Sequence, residues 1–511
     1  MNREEKIYDI IILGAGLAGS FLCLSLLKRN PDFKILMLEK SDSFPQKIGE
    51  SIVDVSALFV KSLGLDNLLD KHTPKSGLRF LFNENNSSDP AQTAEFASPT
   101  PPGLIEAYHL DRKVFDEDLL EEVVKRGADV LRPANILQSS FEEFNSQLEL
   151  EVRGEIHKVR SPWLIDATGR SRYLPKILGW KDKKIRLNTG AIMAHFKNIA
   201  PNEIWDTVQK KDWAKCSIGH RKYSTMHLMR EYAWWWIIRL DEELTSIGVV
   251  FDKNEITFED HEKFFLQQIA EDVQLSLITQ DAERGEIRHV AHVPYVSEKL
   301  YDHGIALIGE SGAFLDPFVS PGIEMIGQQC LWLSELLDRD KKSGKFEEKA
   351  WKRYEKIFQQ AYKSRLRIYE EAYAFMNSYD IFSNWIMQGN FMYFVRVVYP
   401  AVIFKNRLKY PLRFTFIEKV VLNYFSNRFQ EIYARRKLQN RVSNNKHHRI
   451  SYSGVGVPKG PRFLLIPFIL LIKPLIAYLS LELKELRYFL GSRFKPFKNL
   501  INVNSMNASK R

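Results

Sequence analysis

The stretch YDIIILGAGLAG, residues 8–19, decides the fold of this chain. Its first half is a short apolar run that is typical of a buried parallel strand, and its second half opens a helix. Gly14, Gly16 and Gly19 have the GxGxxG spacing. The first glycine allows a tight turn, the second lets backbone approach a pyrophosphate, and the third lets helix and strand pack closely. The pattern therefore predicts a dinucleotide at the N-terminus of this helix.

A second strand completes the predicted nucleotide-binding unit. Residues 34–40, KILMLEK, read as a strand, so residues 8–40 have the pattern of a β-α-β unit. Glu39 follows Gly19 by twenty residues, where an acidic side chain accepts a hydrogen bond from a ribose hydroxyl. A glycine turn without a ligand is the alternative. The residues that we assign to the cofactor at this end of its site are Gly14, Gly16, Ala18, Gly19, Glu39 and Lys40.

A second glycine segment far downstream favours FAD over NAD. Residues 304–327, GIALIGESGAFLDPFVSPGIEMIG, predict a strand, the pair Gly309-Glu310 and a helix start. In glutathione-reductase-like flavoproteins, a similar late segment contacts the ribityl chain and the pyrophosphate. Two separated segments fit an extended FAD better than one NAD. Residues 111–120 also look like the helix that brings an arginine, here Arg112, toward the flavin.

These patterns predict an α/β protein with a Rossmann-type FAD-binding core of the glutathione-reductase or hydroxybenzoate-hydroxylase kind. We expect an inserted antiparallel β-sheet on the substrate side and a helical C-terminal part. The expected domains are the first part of the FAD-binding domain (1–188), a β-rich substrate-side region (189–300), the last part of the FAD-binding domain (301–340), an aromatic-rich helical region (341–433), and a basic linker with an apolar extension (434–511).

The C-terminal part of the chain carries the positive charge. Residues 434–511 hold sixteen Lys and Arg against two Glu, a net charge of +14, which leaves −4 for the remainder. The apolar run 463–481 is too interrupted, by Lys473 and Pro474, for a membrane-spanning helix. We expect peripheral contact with an anionic membrane face, with a helical cap packed on the body as the alternative. Nucleic acid is not an expected partner, because no recognisable binding module accompanies the charge.

Cysteine usage and the start of the chain bear on its location. Cys23, Cys216 and Cys330 are too few and too scattered for a disulfide framework or a zinc site. The start, MNREEKIYDIIILGAG, places charge directly against a strand and lacks the pattern of a secretory signal. We expect a cytoplasmic protein, peripheral at the inner membrane face, without a bound metal.

Four stretches together make the chain resemble the flavin-dependent halogenases, the tryptophan- and phenol-halogenase family. IGES (48–51) looks like the segment after the second strand, and PKSGLRF (74–80) looks like the K-x-G motif. WWWIIRL (234–240) is similar to the W-x-W-x-I-P signature, and FLDPFVSPGIEMI (314–326) is similar to the D-P-x-x-S-x-G loop. The resemblance spans residues 8 to about 330 and fits the aromatic helices loosely.

The resemblance implies a role for each matching residue. Lys75 is the catalytic lysine that delivers the halogen, although a solvated lysine at a turn made by Pro74 and Gly77 is the alternative. Trp234 and Trp236 line the wall between flavin and substrate, or simply pack in the core. Ser320 and Gly322 hold the halide. The further residues assigned to FAD are Ser51, Arg112, Gly309, Glu310, Gly322 and Ile323.

The implied activity consumes FADH2 from a separate flavin reductase, O2, and chloride or bromide. Hypohalous acid reaches Lys75, whose compact amine hydrogen-bonds or captures the halogen and directs it onto an electron-rich aryl ring. The substrate is expected to be a hydrophobic small molecule that is free, lipid-linked or carrier-linked.

Four residues depart from the family pattern. Arg239 replaces the proline of W-x-W-x-I-P, Glu310 replaces the aspartate of the late GD pair, and Pro321 removes a backbone donor from the halide loop. Val319 stands where tryptophan-type enzymes have a catalytic glutamate, which favours a phenol over an indole. The alternatives are a flavin monooxygenase, a geranylgeranyl-reductase-like oxidoreductase, and a flavin-binding protein without activity.

Overall fold

The computed structural model describes residues 5–88, 93–98, 106–199, 221–398, 400–401, 416–441, 449–451, 472 and 474–490. Its strands are β1 (Lys6–Ile7), β2 (Ile10–Leu13), β3 (Ile35–Leu38), β4 (Ser51–Ile52), β5 (Thr73–Pro74), β6 (Leu78–Phe82), β7 (Ala94–Ser98), β8 (Tyr108–His109), β9 (Asp129–Leu131), β10 (Asn135–Glu142), β11 (Asn145–Val152), β12 (Glu155–Ser161), β13 (Trp163–Asp166), β14 (Thr189–Lys197), β15 (Thr225–Arg230), β16 (Ala233–Arg239), β17 (Leu244–Asp252), β18 (Glu283–Arg284), β19 (Arg288–Val290), β20 (Tyr295–Val296), β21 (Tyr301–Asp302), β22 (Ile305–Leu307), β23 (Ala313–Phe314) and β24 (Arg449–Ser451).

Helices alternate with strands in the first half and dominate after residue 320. The helices with known bounds are Leu17–Arg29, Asp54–Ser62, Asp66–Leu69, Arg112–Lys125, Tyr173–Ile177, His261–Glu271, Val273–Thr279, Gly322–Ser343, Glu348–Ala372, Tyr379–Tyr393 and Phe416–Leu438, and a further helix covers residues 474–490. Short 3-10 turns cover Gly169–Ser171, Arg221–Tyr223, Gly309–Ser311 and Tyr373–Phe375, and a π-helical turn covers Phe394–Val398.

A six-stranded sheet forms the nucleotide-binding core, in the order β21-β22-β13-β2-β3-β9. Strands β22, β13, β2, β3 and β9 are parallel, and β21 is antiparallel to β22. Every residue of β2 and β3 is buried, which explains why both read as unbroken apolar runs. Because the carboxyl ends of parallel strands meet at one edge, the turns after β2, β3 and β22 lie together.

A larger sheet lies beside this core, in the order β18-β14-β17-β16-β15-β6-β7-β24, with β19 also paired to β14. Strands β14, β17, β16 and β15 are antiparallel, as predicted for residues 189–300. Strands from outside residues 189–300 extend this sheet, since β6 pairs in parallel with β15 and β24 pairs in parallel with β7. Strand β6 directly follows the Lys75 segment and thereby fixes that segment against the large sheet.

The C-terminal helix packs on the body of the protein. The Nε atom of Arg436 donates to Oε1 of Glu485 at 2.8 Å, and both side chains are buried. The guanidinium of Arg428 makes two 2.7 Å hydrogen bonds to the Glu482 carboxylate. Part of the predicted basic linker at the start of residues 434–511 is structured, because one helix continues to Leu438 and β24 joins the large sheet. Residues 442–448, 452–471, 473 and 491–511 lie outside the described part. Within the described ranges, no helix is long and apolar enough to cross a membrane.

Candidate active site

The three motif glycines face different surroundings. A Cβ on Gly14 would lie 2.5 Å from the carbonyl oxygen of Ala167, and a Cβ on Gly19 would lie 2.1 Å from the carbonyl oxygen of Gly14. A Cβ on Gly16 would instead have the Nζ atom of Lys47 as its neighbour, at 3.5 Å. Close packing therefore requires Gly14 and Gly19, whereas Gly16 borders space beside a cation, which suits an anionic pyrophosphate.

Glu39 lies at the end of β3, next to this glycine turn. Its Oε2 atom accepts from the backbone N–H of Ala15 at 3.1 Å, and its Oε1 atom accepts from that of Ser41 at 3.1 Å. The two hydrogen bonds hold the carboxylate at the carboxyl edge of the sheet, where a ribose is expected. Lys40 lies beside it with an exposed side chain.

Gly309 brings the downstream glycine segment into contact with the first one. Its φ of +63° lies in the left-handed region that favours glycine. A Cβ on Gly309 would lie 2.9 Å from the Cβ of Ala18, and its backbone N–H donates to Oε1 of Gln329 at 2.9 Å. The two predicted nucleotide-contacting segments therefore meet, as one extended dinucleotide requires.

Charged side chains surround this junction. The Nε and Nη2 atoms of Arg112 donate to the Asp116 carboxylate at 2.8 and 3.0 Å, and Nη1 donates to the carbonyl oxygen of Ile48 at 2.9 Å. Burial raises the pKa of the Glu310 carboxyl, against the opposing effect of Arg170 and Arg112. Arg112 is therefore a fixed, buried cation at the meeting point of the two segments. Open space at Gly16, the held carboxylate of Glu39 and this cation fit FAD.

Lys75 is buried, with 6% of its surface exposed. Its backbone N–H donates to the carbonyl oxygen of Ala107 at 2.8 Å, and the N–H of Ser76 donates to that of Tyr223 at 2.8 Å. These bonds hold the segment between the short β4-β8-β5 sheet and the large sheet. The Nζ atom of Lys75 donates to Oγ of Ser51 at 2.8 Å. Lys75 is thus not the solvated turn lysine of the alternative interpretation.

The surroundings of Lys75 favour its neutral amine. Burial lowers the pKa of Lys75 to about 7, while the nearby Asp54 carboxylate acts in the opposite direction. Burial also lowers the pKa of His109 and of His227 to about 3, with the Lys75 charge contributing, so both imidazoles are neutral near pH 7. Burial raises the pKa of Asp54, whose carboxylate accepts from the hydroxyl of Tyr393 at 2.8 Å. A lysine whose pKa lies near neutrality is suited to nucleophilic chemistry.

Trp234 and Trp236 lie on one face of β16 and are buried. The indole N–H of Trp234 donates to the hydroxyl of Tyr373 at 3.0 Å, and that of Trp236 donates to Oγ of Ser246 at 3.0 Å. The ring of Phe318 meets Trp234 edge-on, with centroids 5.1 Å apart. The tryptophans therefore form a fixed aromatic wall, and this geometry suits both core packing and the predicted wall between flavin and substrate.

Asp316 ties the predicted halide loop to that wall. Its Oδ2 atom accepts from the Tyr373 hydroxyl at 2.8 Å and from the Thr189 hydroxyl at 3.2 Å, while Oδ1 accepts from the backbone N–H of Phe318 at 3.0 Å. Burial raises the pKa of Asp316 to about 6. This side chain thereby couples the position of the loop to Trp234 through Tyr373.

The loop itself has an unusual backbone. Val319 and Ser320 have φ angles of +59° and +60°, which are strained for side chains with a Cβ. Gly322 begins the helix Gly322–Ser343, and a Cβ on it would meet open space. The first backbone hydrogen bond of this helix runs from Met325 to Pro321, so the N–H groups of residues 322–324 precede the helical ladder.

Several residues at this site were not found from the sequence. Ser51 was assigned to FAD, but its hydroxyl contacts Lys75. Residues that the sequence did not assign and that make buried polar contacts here include Glu50, His109, Asp316, Thr225, His195 and Tyr373. Their partners are distant in the sequence, so no local pattern could have indicated them, although the D-P pair of residues 316–317 was part of a recognised motif.

Solved structures show the same fold. The halogenase PltM, in a complex with phloroglucinol and FAD, superposes with a TM-score of 0.73 at 19% sequence identity and covers 85% of this chain and 94% of that chain. The comparison shows the fold, and the site adds a buried lysine, Lys75, near the junction of the two glycine segments.

Sequence comparison places the chain more closely. The tryptophan halogenase family model matches residues 80–376, more than half of the chain. A flavin-dependent halogenase of Armillaria mellea is 25% identical over 345 residues, 62% of each chain. A 1H-pyrrole-2-carbonyl peptidyl-carrier-protein chlorinase of Pseudomonas fluorescens is 25% identical over 380 residues, 70% of this chain and 81% of the relative. The chain belongs to the tryptophan halogenase family.

This result confirms the predicted family, fold class and flavin cofactor. The chain spans 62% of the length of the Armillaria mellea relative, so its complete activity is a proposal. The roles of individual residues and the domain bounds stay predictions.

Proposed function

We propose that the protein is a FADH2-dependent halogenase that uses O2 and chloride or bromide to halogenate an electron-rich, phenolic and hydrophobic aryl substrate. The segment 49–51 carries this proposal because it connects two sites. At Gly49, a Cβ would lie 2.9 Å from Nη1 of Arg112 in the flavin region, while Ser51 accepts a hydrogen bond from Lys75 two residues later. The cofactor region and the buried amine are therefore neighbours.

The cofactor and the halide are assigned to different parts of this site. The two glycine segments, Glu39 and Arg112 would hold FAD, which in its reduced form would supply, with O2, the oxidising power that converts halide to hypohalous acid. The halide is assigned to the start of the helix Gly322–Ser343, whose first N–H groups precede the helical ladder. Ser320 adds a hydroxyl there, and Pro321 adds no donor.

Lys75 transfers the halogen. Its neutral amine attacks the halogen of hypohalous acid: the N–halogen bond forms, the O–halogen bond breaks, and an N–H proton leaves with the hydroxide as water. The aryl carbon then takes the halogen: the C–halogen bond forms, the N–halogen bond breaks, and the ring proton passes to the nitrogen. The pKa of about 7 for Lys75 makes the neutral amine available at neutral pH.

The substrate class follows from the absence of a carboxylate at Val319 and from the aromatic wall. A phenol needs no such base, because its own ionisation activates the ring. Trp234, Trp236 and Phe318 form a buried aromatic cluster, and their rings would give an aryl group next to them apolar contacts. The relatives act on aryl groups such as carrier-linked pyrrole, and PltM was solved with phloroglucinol, a phenol.

Turnover tests this function directly. The protein is supplied with a flavin reductase, FAD, NADH, O2 and bromide, and products from a mixed set of phenols, pyrroles and alkylresorcinols are read by mass. We expect a brominated phenol that disappears when bromide is omitted. A hydroxylated product that does not depend on halide would indicate a monooxygenase, and flavin oxidation without hypohalous acid or product would indicate an inactive flavin-binding protein.

We also propose that the C-terminal helix seats the enzyme on an anionic membrane face. One side of residues 474–490 packs on the body, while the large apolar side chains of the opposite side are exposed: Leu475, Ile476, Leu479, Leu483, Leu486, Phe489 and Leu490. The tail adds a net charge of +14. An apolar helix face on a basic segment complements an anionic lipid surface, to which each Lys or Arg that comes near it adds about 1 kcal/mol.

Vesicle flotation tests the membrane contact. The double variant Leu479→Glu/Leu483→Glu should float less with anionic vesicles than the wild type. Leu266→Glu, at an exposed position on the helix His261–Glu271, is the matched control and should float normally. Equal flotation of all three proteins would leave the helix as a cap on the body.

A further inference from the structure

Lys75 is the first member of a chain of four buried or half-buried side chains. Its Nζ atom lies 2.8 Å from Oγ of Ser51, and Ser51 Oγ lies 3.0 Å from Oγ1 of Thr225. Thr225 Oγ1 lies 2.9 Å from Nε2 of His109, whose Nδ1 lies 3.0 Å from the carbonyl oxygen of Arg239. His109 and Thr225 are 0% and 2% exposed, so water does not replace these contacts.

The last contact fixes the direction of every hydrogen bond in the chain. A carbonyl oxygen only accepts, so Nδ1 of His109 carries the proton and donates to Arg239. His109 is neutral, because burial lowers its pKa to about 3, and its Nε2 must therefore accept from Thr225. The only proton of the Thr225 hydroxyl is therefore donated to His109, and its oxygen accepts from Ser51. Ser51 in turn has no proton left to offer and accepts from Lys75.

We propose that Ser51, Thr225 and His109 form a one-directional hydrogen-bond relay that keeps the lone pair of the Lys75 amine free for the halogen. The relay rests on the proposed halogenase function. Ser51 takes one N–H of Lys75, which fixes the position of Nζ, and it never donates to the nitrogen. A donated hydrogen bond to the nitrogen would occupy the electron pair that must form the N–halogen bond. Ser51, Thr225 and His109 are positioning residues, since they act through Lys75.

The anchor excludes the reverse direction of the relay as long as His109 is neutral. If Ser51 donated to Lys75, then Thr225 would donate to Ser51 and His109 would donate from Nε2. The unprotonated Nδ1 would then face the carbonyl oxygen of Arg239 at 3.0 Å, with two acceptors in contact in a buried site. This also explains how Arg239 can replace the family's proline, because the relay uses its backbone carbonyl and not its side chain.

Thr225 offers the sharpest test, since Thr225→Val removes the hydroxyl at nearly constant volume and Thr225→Ser retains it. In the valine variant, the Ser51 hydroxyl loses Thr225 as its acceptor and can donate instead to the neutral amine of Lys75, 2.8 Å away. We expect halogenated product per flavin oxidised to fall about tenfold, the scale of one hydrogen bond. Flavin affinity and the rate of flavin oxidation should stay the same, and free hypohalous acid should increase. In the serine variant, the halogenated product per flavin oxidised should stay within about twofold of the wild-type value.

A second measurement needs no turnover. In protein without flavin, at a pH well above the pKa of Lys75, the rate of reductive methylation of Lys75 by formaldehyde and borohydride is followed by peptide mass. The valine variant should be methylated more slowly than the serine variant, because its lone pair is occupied. Thr225→Ala replaces the valine variant if the latter does not fold.

The relay is wrong if the valine and serine variants give the same halogenated product per flavin oxidised, or if Lys75 is methylated at equal rates in both. A defect in folding alone would lower the thermal midpoint and flavin binding together, and it would not separate coupling from flavin oxidation. If wild-type protein halogenates nothing while the methylation rates still differ, the proposed function fails and the relay stands.

Discussion

Coupling between flavin oxidation and halogenation should follow the protonation of Lys75. The pKa of Lys75 is lowered to about 7 by burial, against a reference of about 10.4 for a lysine in water. The neutral fraction of an amine with a pKa of about 7 is about 9% at pH 6, about 50% at pH 7 and about 91% at pH 8. Product per flavin oxidised should therefore rise about tenfold from pH 6 to pH 8 and then level off.

The charged groups that face Lys75 make this profile interpretable. His109 from β8 and His227 from β15 are neutral throughout this range, because burial lowers the pKa of each to about 3. Asp54, from the helix Asp54–Ser62, raises the pKa of Lys75 through its negative charge. Asp54→Asn should therefore move the midpoint of the profile to lower pH.

The assay measures product by mass and flavin oxidation by absorbance at each pH, with hypohalous acid trapped by a dye in parallel reactions. The dye signal corrects for any effect of pH on earlier steps. A coupling ratio that stays flat from pH 6 to 8 would refute the neutral-amine mechanism. So would a ratio that continues to rise about tenfold per unit above pH 8, since that is the behaviour of an ordinary lysine.

Four further substitutions test other parts of the protein. Gly16→Val should fold and lose FAD, since its side chain would enter the space beside Lys47. Gly19→Ala should instead lower the free energy of unfolding by about 1–3 kcal/mol, because its Cβ would lie 2.1 Å from a backbone oxygen. Flavin retention and urea unfolding distinguish the two variants. Asp316→Asn should lower the free energy of unfolding by about 1–3 kcal/mol, because the NH2 group of the amide cannot accept a hydrogen bond from Tyr373 or from the N–H of Phe318. An unchanged midpoint in urea unfolding would contradict the role of Asp316 as anchor. Glu485→Gln should destabilise the C-terminal helix by about 3 kcal/mol, because Arg436 is left buried without a full counter-charge; native-state proteolysis measures this, and unchanged cleavage would argue against docking of the helix.

The Rossmann-type fold was predictable from the sequence because its signals are local. The spacing of Gly14, Gly16 and Gly19 sets a turn within six residues, and Glu39 follows at the end of the next strand. The apolar runs of β2 and β3 directly reflect burial on both faces of a parallel sheet. Such features depend on a few neighbouring residues and survive without knowledge of the tertiary structure.

The surroundings of the lysine were not predictable in the same way. Lys75 and Ser51 are 24 residues apart, Ser51 and Thr225 are 174 apart, and Thr225 and His109 are 116 apart. Only the packing of β4, β8 and β15 brings these side chains together. The parallel pairing of β15 with β6 was missed for this reason, because strand order is a tertiary property. Composition located the positive charge of the tail but did not show which face of its helix is apolar.

The central claim is that Lys75 transfers the halogen as a nucleophile and does not serve merely as a positive charge. Lys75→Arg tests it most directly, because guanidinium retains the charge but is effectively always protonated. We expect this variant to keep FAD, to oxidise reduced flavin with O2 and to release free hypohalous acid, while halogenated product falls at least about a hundredfold, equivalent to about 2.7 kcal/mol. Halogenation by Lys75→Arg at near wild-type rate would contradict the account.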